Sequence, residues 1–138
     1  MNLQAMVTDN ISELLVRIIE FTENRQKVLT RNINSMHCCG FVPMDLAVDE
    51  FSEVLNTAIN EHMCHSRLVL CDTANIKFGL DGDLEVSPII DDEAFSLLEE
   101  CLEDYVEGQI DKLLENALNQ RVAAELLRER HGLAVVAQ

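Results

Sequence analysis

Aromatic residues are scarce: they make up 4% of the 138 residues, with no tryptophan and a single tyrosine. A core must therefore be built from Leu, Ile, Val, Ala and Met, a composition that favours packed helices over a sheet. Basic residues are also scarce, with 10 Lys and Arg against 25 Asp and Glu and a net charge of −15. Phosphate backbones and anionic membranes repel such a surface, which excludes nucleic-acid binding as a property of the whole chain. A basic partner is favoured instead, or the acidity serves solubility alone. No stretch reaches the roughly 18 apolar residues of a membrane span, so no direct membrane insertion is expected. Residues Met1 to Asn10 lack the basic start and apolar centre of a secretory signal. The five cysteines are an odd number and cannot all pair within the chain. Together these features predict synthesis in a reducing cytoplasm, and any exit by a route without a cleaved signal.

Motifs that carry chemistry are missing as well. His37, Cys38 and Cys39 share one stretch, and His62, Cys64, His65 and Cys71 another. Four such ligands suit tetrahedral zinc, yet no Cys-x-x-Cys pair occurs and adjacent cysteines are poorly disposed to share one ion. The same Cys and His residues come with nothing that marks an oxyanion hole. In Asp81-Gly82-Asp83 the Gly comes second and Leu84 follows, which breaks the calcium-loop pattern. Glu99, Glu100, Glu103, Asp104 and Glu107 are dense carboxylates, but no Glu-x-x-His accompanies them, so a solvated helix face accounts for them. There is no phosphate-binding Gly loop and no Ser nucleophile motif. The expectation is a protein with no catalytic residues, no metal and no cofactor.

What is present is helical periodicity in one domain's length of chain. Over residues 9–34, Ile11, Leu14, Ile18, Phe21, Val28 and Ile33 fall near one face, widened by Leu15, Ile19 and Leu29. Asn10 with Glu13 reads as a capping pair. Arg25 and Asn32 interrupt the apolar stripe, as polar residues do where they set register. Gly40 and Pro43 punctuate a break over 35–44. A second helix capped by Asp45 or Asp49 is expected to run to about residue 62. Ile76-Lys77-Phe78 and Leu84-Glu85-Val86 alternate around the turn signal at Asp81-Gly82-Asp83, as a small hairpin does, and Pro88 ends it.

The strongest helical signal covers 91–131. Asp91, Asp92 and Glu93 put negative charge at its start. Val106, Ile110, Leu113, Ala117, Gln120, Ala124 and Leu127 alternate steps of four and three, as in a coiled-coil seam, while Leu114, Leu118, Val122 and Leu126 broaden the apolar face. Gly108 is a candidate bend and Gly132 a candidate stop. The fold expected is mostly α: long terminal helices (9–34 and 91–131) packed as an antiparallel coiled coil or bundle, around an insert (45–90) with a short helix and a small irregular or hairpin element.

Residues 25–46 read RQKVLTRNINSMHCCGFVPMDL. This segment resembles the N-terminal signature of flagellar basal-body rod proteins of the proximal rod type. There a helix ends in Asn-Ile, and Thr-Pro-Gly-Tyr and then Asp-Val follow. Asn32-Ile33 holds the first place, Gly40-Phe41 the Gly-Tyr place at the same spacing, and Asp45-Leu46 the Asp-Val place. Cys38-Cys39 stands where Thr-Pro would. Lys112-Leu113-Leu114-Glu115-Asn116-Ala117-Leu118, with Ala123 to Leu127 and Arg128 to Leu133, is similar to the closing helix of that family. The resemblance covers about half the chain.

It implies a structural subunit of the rod, made in the cytoplasm, exported unfolded by the flagellar type III system and placed in the periplasmic rod of the basal body. The implied partners are other rod subunits, membrane-ring and export-gate proteins, and further copies of itself. The assembly interface expected on this basis comprises Ile11, Ile18, Val28, Asn32, Ile33, Gly40, Leu113, Ala117, Ala124 and Leu127. Asn32 and Gly40 would shape the junction, and the others would be buried. The alternative expectation is a cytosolic acidic helical adaptor or export chaperone that grips a basic partner.

Overall fold

A computed structural model describes residues 3–79 and 83–136, with side chains over 10–79 and 83–132. The elements are α1 (Leu3–Asn34), β1 (Met44–Asp45), α2 (Val48–His65), β2 (Ile76–Phe78), β3 (Leu84–Val86), β4 (Ile89–Ile90), α3 (Asp92–Glu100) and α4 (Leu102–Val136). The architecture is mostly helical, with the long first and last helices packed against each other and small two-stranded antiparallel sheets between them.

No Gly or Pro interrupts the 32 residues of α1, and buried Arg17 braces it through Glu13 and Glu20 on its own surface. The helix begins well before the expected start. Asn10 does not cap it; its amide reaches across to the Ser66 carbonyl at 3.3 Å. Past Asn34 the chain reverses through tight turns, with Cys38 N–H on Ser35 O at 3.0 Å and Phe41 N–H on Cys38 O at 3.2 Å. Gly40 sits at φ +76 there, a backbone region that a Cβ disfavours.

The insert lies on one face of α1. Phe21 of α1 stacks on Phe51 of α2 with ring centroids 4.0 Å apart, and Leu46 and Ile76 complete the buried cluster. Ile18 and Val28 pack against this cluster together with Leu55, Phe78 and Val86. Each fully buried aromatic or aliphatic side chain here contributes roughly 1.5–3 kcal/mol. The β2–β3 hairpin forms with Ile76 opposite Val86; the expected turn at Asp81 and Gly82 lies outside the described residues. A second small ladder was not foreseen: β4 pairs with β1, Met44 opposite Ile90, just beyond Pro88. α2 begins at Val48 with no side-chain cap, so neither Asp45 nor Asp49 caps it. Asp49 lies inside its first turn, and Asp45 is engaged elsewhere.

The expected single helix over 91–131 is two. Asp91 caps α3 by accepting the Ala94 N–H at 3.1 Å. The chain then extends at Cys101, whose carbonyl accepts the Tyr105 N–H at 3.0 Å and starts α4 afresh. Gly108 therefore divides nothing, and α4 runs past Gly132 to Val136. α1 and α4 are antiparallel: Asn32 meets Tyr105 and Gln109, while Thr22 meets Asn116.

Candidate assembly site

The face of α4 that meets α1 is not the expected seam. Its buried residues are Tyr105, Gln109, Asn116 and Ala123. Of the expected set, Ile110 and Ala117 are exposed, whereas Leu113, Ala124 and Leu127 are half-buried beside the contact. On α1, Asn32 is buried, Ile11 and Ile33 are half-buried, and Ile18 and Val28 are half-buried and pack against the insert cluster. Gly40 is exposed on the turn. The structure thus unites Asn32 with α4 but distributes the remaining interface candidates over other surfaces.

The α1–α4 contact carries a set of buried, fully paired polar groups. Asn32 is 2% exposed. Its amide donates to Met44 O at 2.7 Å and to Gln109 Oε1 at 2.9 Å, and its Oδ1 accepts the Met44 N–H at 3.1 Å. Tyr105 Oη donates to the Asn32 carbonyl at 2.7 Å, and Asn116 Nδ2 donates to the Thr22 carbonyl at 2.7 Å. Burial, then the charge of Asp91, pushes the Tyr105 hydroxyl up to about 12, so it stays a donor. Among the described residues, no buried side-chain nitrogen or oxygen lacks a partner. Such a contact specifies register more than it adds stability, because each bond replaces one to water.

Next to it runs a network of charges. Arg25 grips Asp45 with both arms, at 2.9 and 3.1 Å. Glu115 approaches Arg25 at 3.8 Å, and Lys112 lies 3.9 Å from Asp45 and bonds Asp91. α1, β1, the α3 cap and α4 are thereby tied at one point. Burial alone would raise the Asp91 carboxyl; the bonds from Lys112 and the Ala94 N–H outweigh it and hold the group below its ordinary value.

A carboxyl with a depressed folded pKa contributes stability that is complete above its ordinary value of 3.8 and is lost as pH falls through the folded value. Asp91→Asn keeps the cap and removes the charge. It is expected to destabilise the protein by about 1 kcal/mol at neutral pH. The gap from wild type is expected to close as pH drops below about 4. Urea melts at neutral pH and at about pH 2 would check this; a gap unchanged down to that pH would contradict it.

The outward side of α4 carries a different feature. Leu102, Val106, Ile110, Leu114, Leu118, Val122 and Leu126 recur at every fourth residue. A helix turns by about 100° per residue, so each such step gains roughly 40° on a full turn. The stripe therefore winds around α4, from one flank of the α1 contact to the other. Leu114 and Leu118, in the middle, are 65% and 62% exposed. At its upper end, Leu102, Val106 and Ile110 border an open apolar groove with Glu103 and Glu107.

No group of three or more potential metal ligands occurs among the described residues. Cys38, Cys39, Cys64 and Cys71 are exposed free thiols, and His65 is paired with Glu61. No helix of the described chain is long and apolar enough to cross a membrane. Tyr105, Gln109, Lys112 and Asn116 were not among the expected interface residues, although their four–three–four spacing on one face is the signal of a polar seam. These elements define a two-helix antiparallel scaffold with an insert on one side and an unpartnered apolar stripe on the other. No protein-family model, no curated protein and no solved structure matches the chain.

Proposed function

We propose that the chain is a structural, non-catalytic subunit of the bacterial flagellar basal-body rod. The observation that carries an assembly role is the wound apolar stripe of α4, exposed from Ile110 through Leu126. A free chain gains nothing from leaving such a stripe in water. One straight partner helix covers only part of a stripe that turns this far, so full burial calls for more than one neighbour, as in a lattice of copies.

The resemblance narrows the assembly to the rod. The residues that carry it, Asn32, Gly40 and Asp45, are those that build the reversal after α1 and clamp it to α4. In this reading the chain is made in the cytoplasm, exported unfolded without a cleaved signal, and folds into the periplasmic rod beside other rod subunits and the membrane-ring and export-gate proteins. The net charge of −15 favours a second reading, an acidic adaptor or export chaperone for a basic partner.

An in-frame deletion separates them. The rod reading expects loss of swimming and of rods in isolated basal bodies, both restored by the wild-type gene and neither by a Leu114→Asp, Leu118→Asp version. Normal rods in the deletion strain would refute it and leave the adaptor reading.

A further inference from the structure

We infer that the upper end of α4 is a docking site for a cationic amphipathic helix of a partner protein. Two lanes run side by side there. Leu102, Val106, Ile110 and Leu114 form an apolar lane, and Glu103, Glu107 and Asp111 an acidic one, each at every fourth residue. The acidic lane is displaced from the apolar lane by one residue, about 100° around the helix, so it borders the apolar lane along its length. Leu102, Ile110, Leu114 and the three acidic residues are exposed, and Val106 is half-buried. An open groove joins Leu102, Val106 and Ile110 to Glu103 and Glu107. The other border of the apolar lane is the α1 contact, where Tyr105 and Gln109 are buried.

The charge selects the occupant. Glu103, Glu107 and Asp111 enter no ion pair among the described residues. Lys112, the one basic residue of α4 before Arg121, is held by Asp91. Like charges four residues apart repel along a helix, so this row gains from basic groups brought by a partner. A second copy carries the same charge of −15 and is the poorer occupant. A helix suits the groove: its apolar side chains at three–four spacing fill it, and Lys or Arg along one flank reach the carboxylates. The next place in the acidic lane is Glu115, which approaches Arg25 at 3.8 Å, and Asn119 follows, so the site ends near Leu114. From Leu102 it spans about 18 Å, or roughly three turns of the partner.

Fluorescence anisotropy on the full chain in reductant tests this. The probe is a labelled peptide of about 18 residues built from Ala, Leu and Lys, with Leu at three–four spacing and Lys along one flank. The control is a scrambled peptide of the same composition. The patterned peptide is expected to bind in the micromolar range, about tenfold tighter than the scramble, and more weakly as salt rises. Glu103→Gln, Glu107→Gln and Asp111→Asn in one chain are expected to weaken it about tenfold. Ile110→Gln with Leu114→Gln, which leaves the charge unchanged, is expected to do the same. Glu23→Gln, Glu53→Gln and Glu85→Gln neutralise as many exposed carboxylates elsewhere and are expected to change affinity by less than about threefold. Circular-dichroism melts confirm that each variant folds. Equal binding of the two peptides, or equal losses in the two neutralised chains, would reduce the effect to net charge and overturn the proposal. So would a dimer of the free chain that Ile110→Gln with Leu114→Gln abolishes, since a second copy would then fill the groove. The docking site does not rest on the rod reading. Selective binding with rods intact in the deletion strain refutes only the rod, and lost rods without selective binding refute only the docking site.

Discussion

Asn32→Ala is expected to lower the unfolding free energy by about 3–4 kcal/mol. The side chain satisfies the Met44 carbonyl, the Met44 N–H and the Gln109 Oε1 at once. Gln109 is 1% exposed, so water does not readily replace the lost donor there. Each orphaned buried group costs about 1–3 kcal/mol. Asn32→Asp fares no better. A carboxylate still accepts the Met44 N–H, but it presents an acceptor to both oxygens that Asn32 now feeds. Urea unfolding by circular dichroism measures both; a loss below about 1 kcal/mol for Asn32→Ala would show that the contact relaxes or takes in water.

The second large effect is expected at Arg25. Arg25→Met leaves Asp45 with only the distant Lys112 ammonium and the Leu46 N–H. Breaking a buried pair from one side costs about 3 kcal/mol, because the remaining carboxylate is desolvated without its counter-charge. Arg25 is 5% exposed and the Asp45 side chain 13%, so solvent screens the pair little. Replacing both, Arg25→Met with Asp45→Asn, is expected to recover more than half of that loss. A double-mutant cycle with a coupling energy near zero would contradict a direct, buried pair.

The helical class and the pairing of the terminal helices were legible because apolar periodicity is a property of the chain itself. The face of α4 that meets α1 was not. Periodicity reports hydrophobicity, and here the most hydrophobic line, from Ile110 to Leu126, is the one left in water. The buried line is held by Tyr105, Gln109 and Asn116, whose suitability depends on partners such as Asn32 and Thr22 far away in sequence. Arg25 and Asn32 were recognisable as breaks in the α1 stripe and as register-setting residues, since a polar group in an apolar face needs a reason. Their partners were not, because a side-chain bond over 20 or 77 positions leaves no local trace. The break at Cys101 was hidden as well. Neither Gly nor Pro marks it; the chain simply turns extended at Cys101 between α3 and α4. Gly40, in contrast, was legible from residue type alone, since a positive φ selects glycine.

On the proposed reading, the exposed stripe of α4 is an assembly surface inside a rod. The most direct test is electron microscopy of basal bodies isolated from a deletion strain complemented with an epitope-tagged chain. Antibody label on the rod, in every basal body that has one, is the expected result. Basal bodies with complete rods and no label, with the tagged chain remaining in the cytoplasmic fraction, would contradict it.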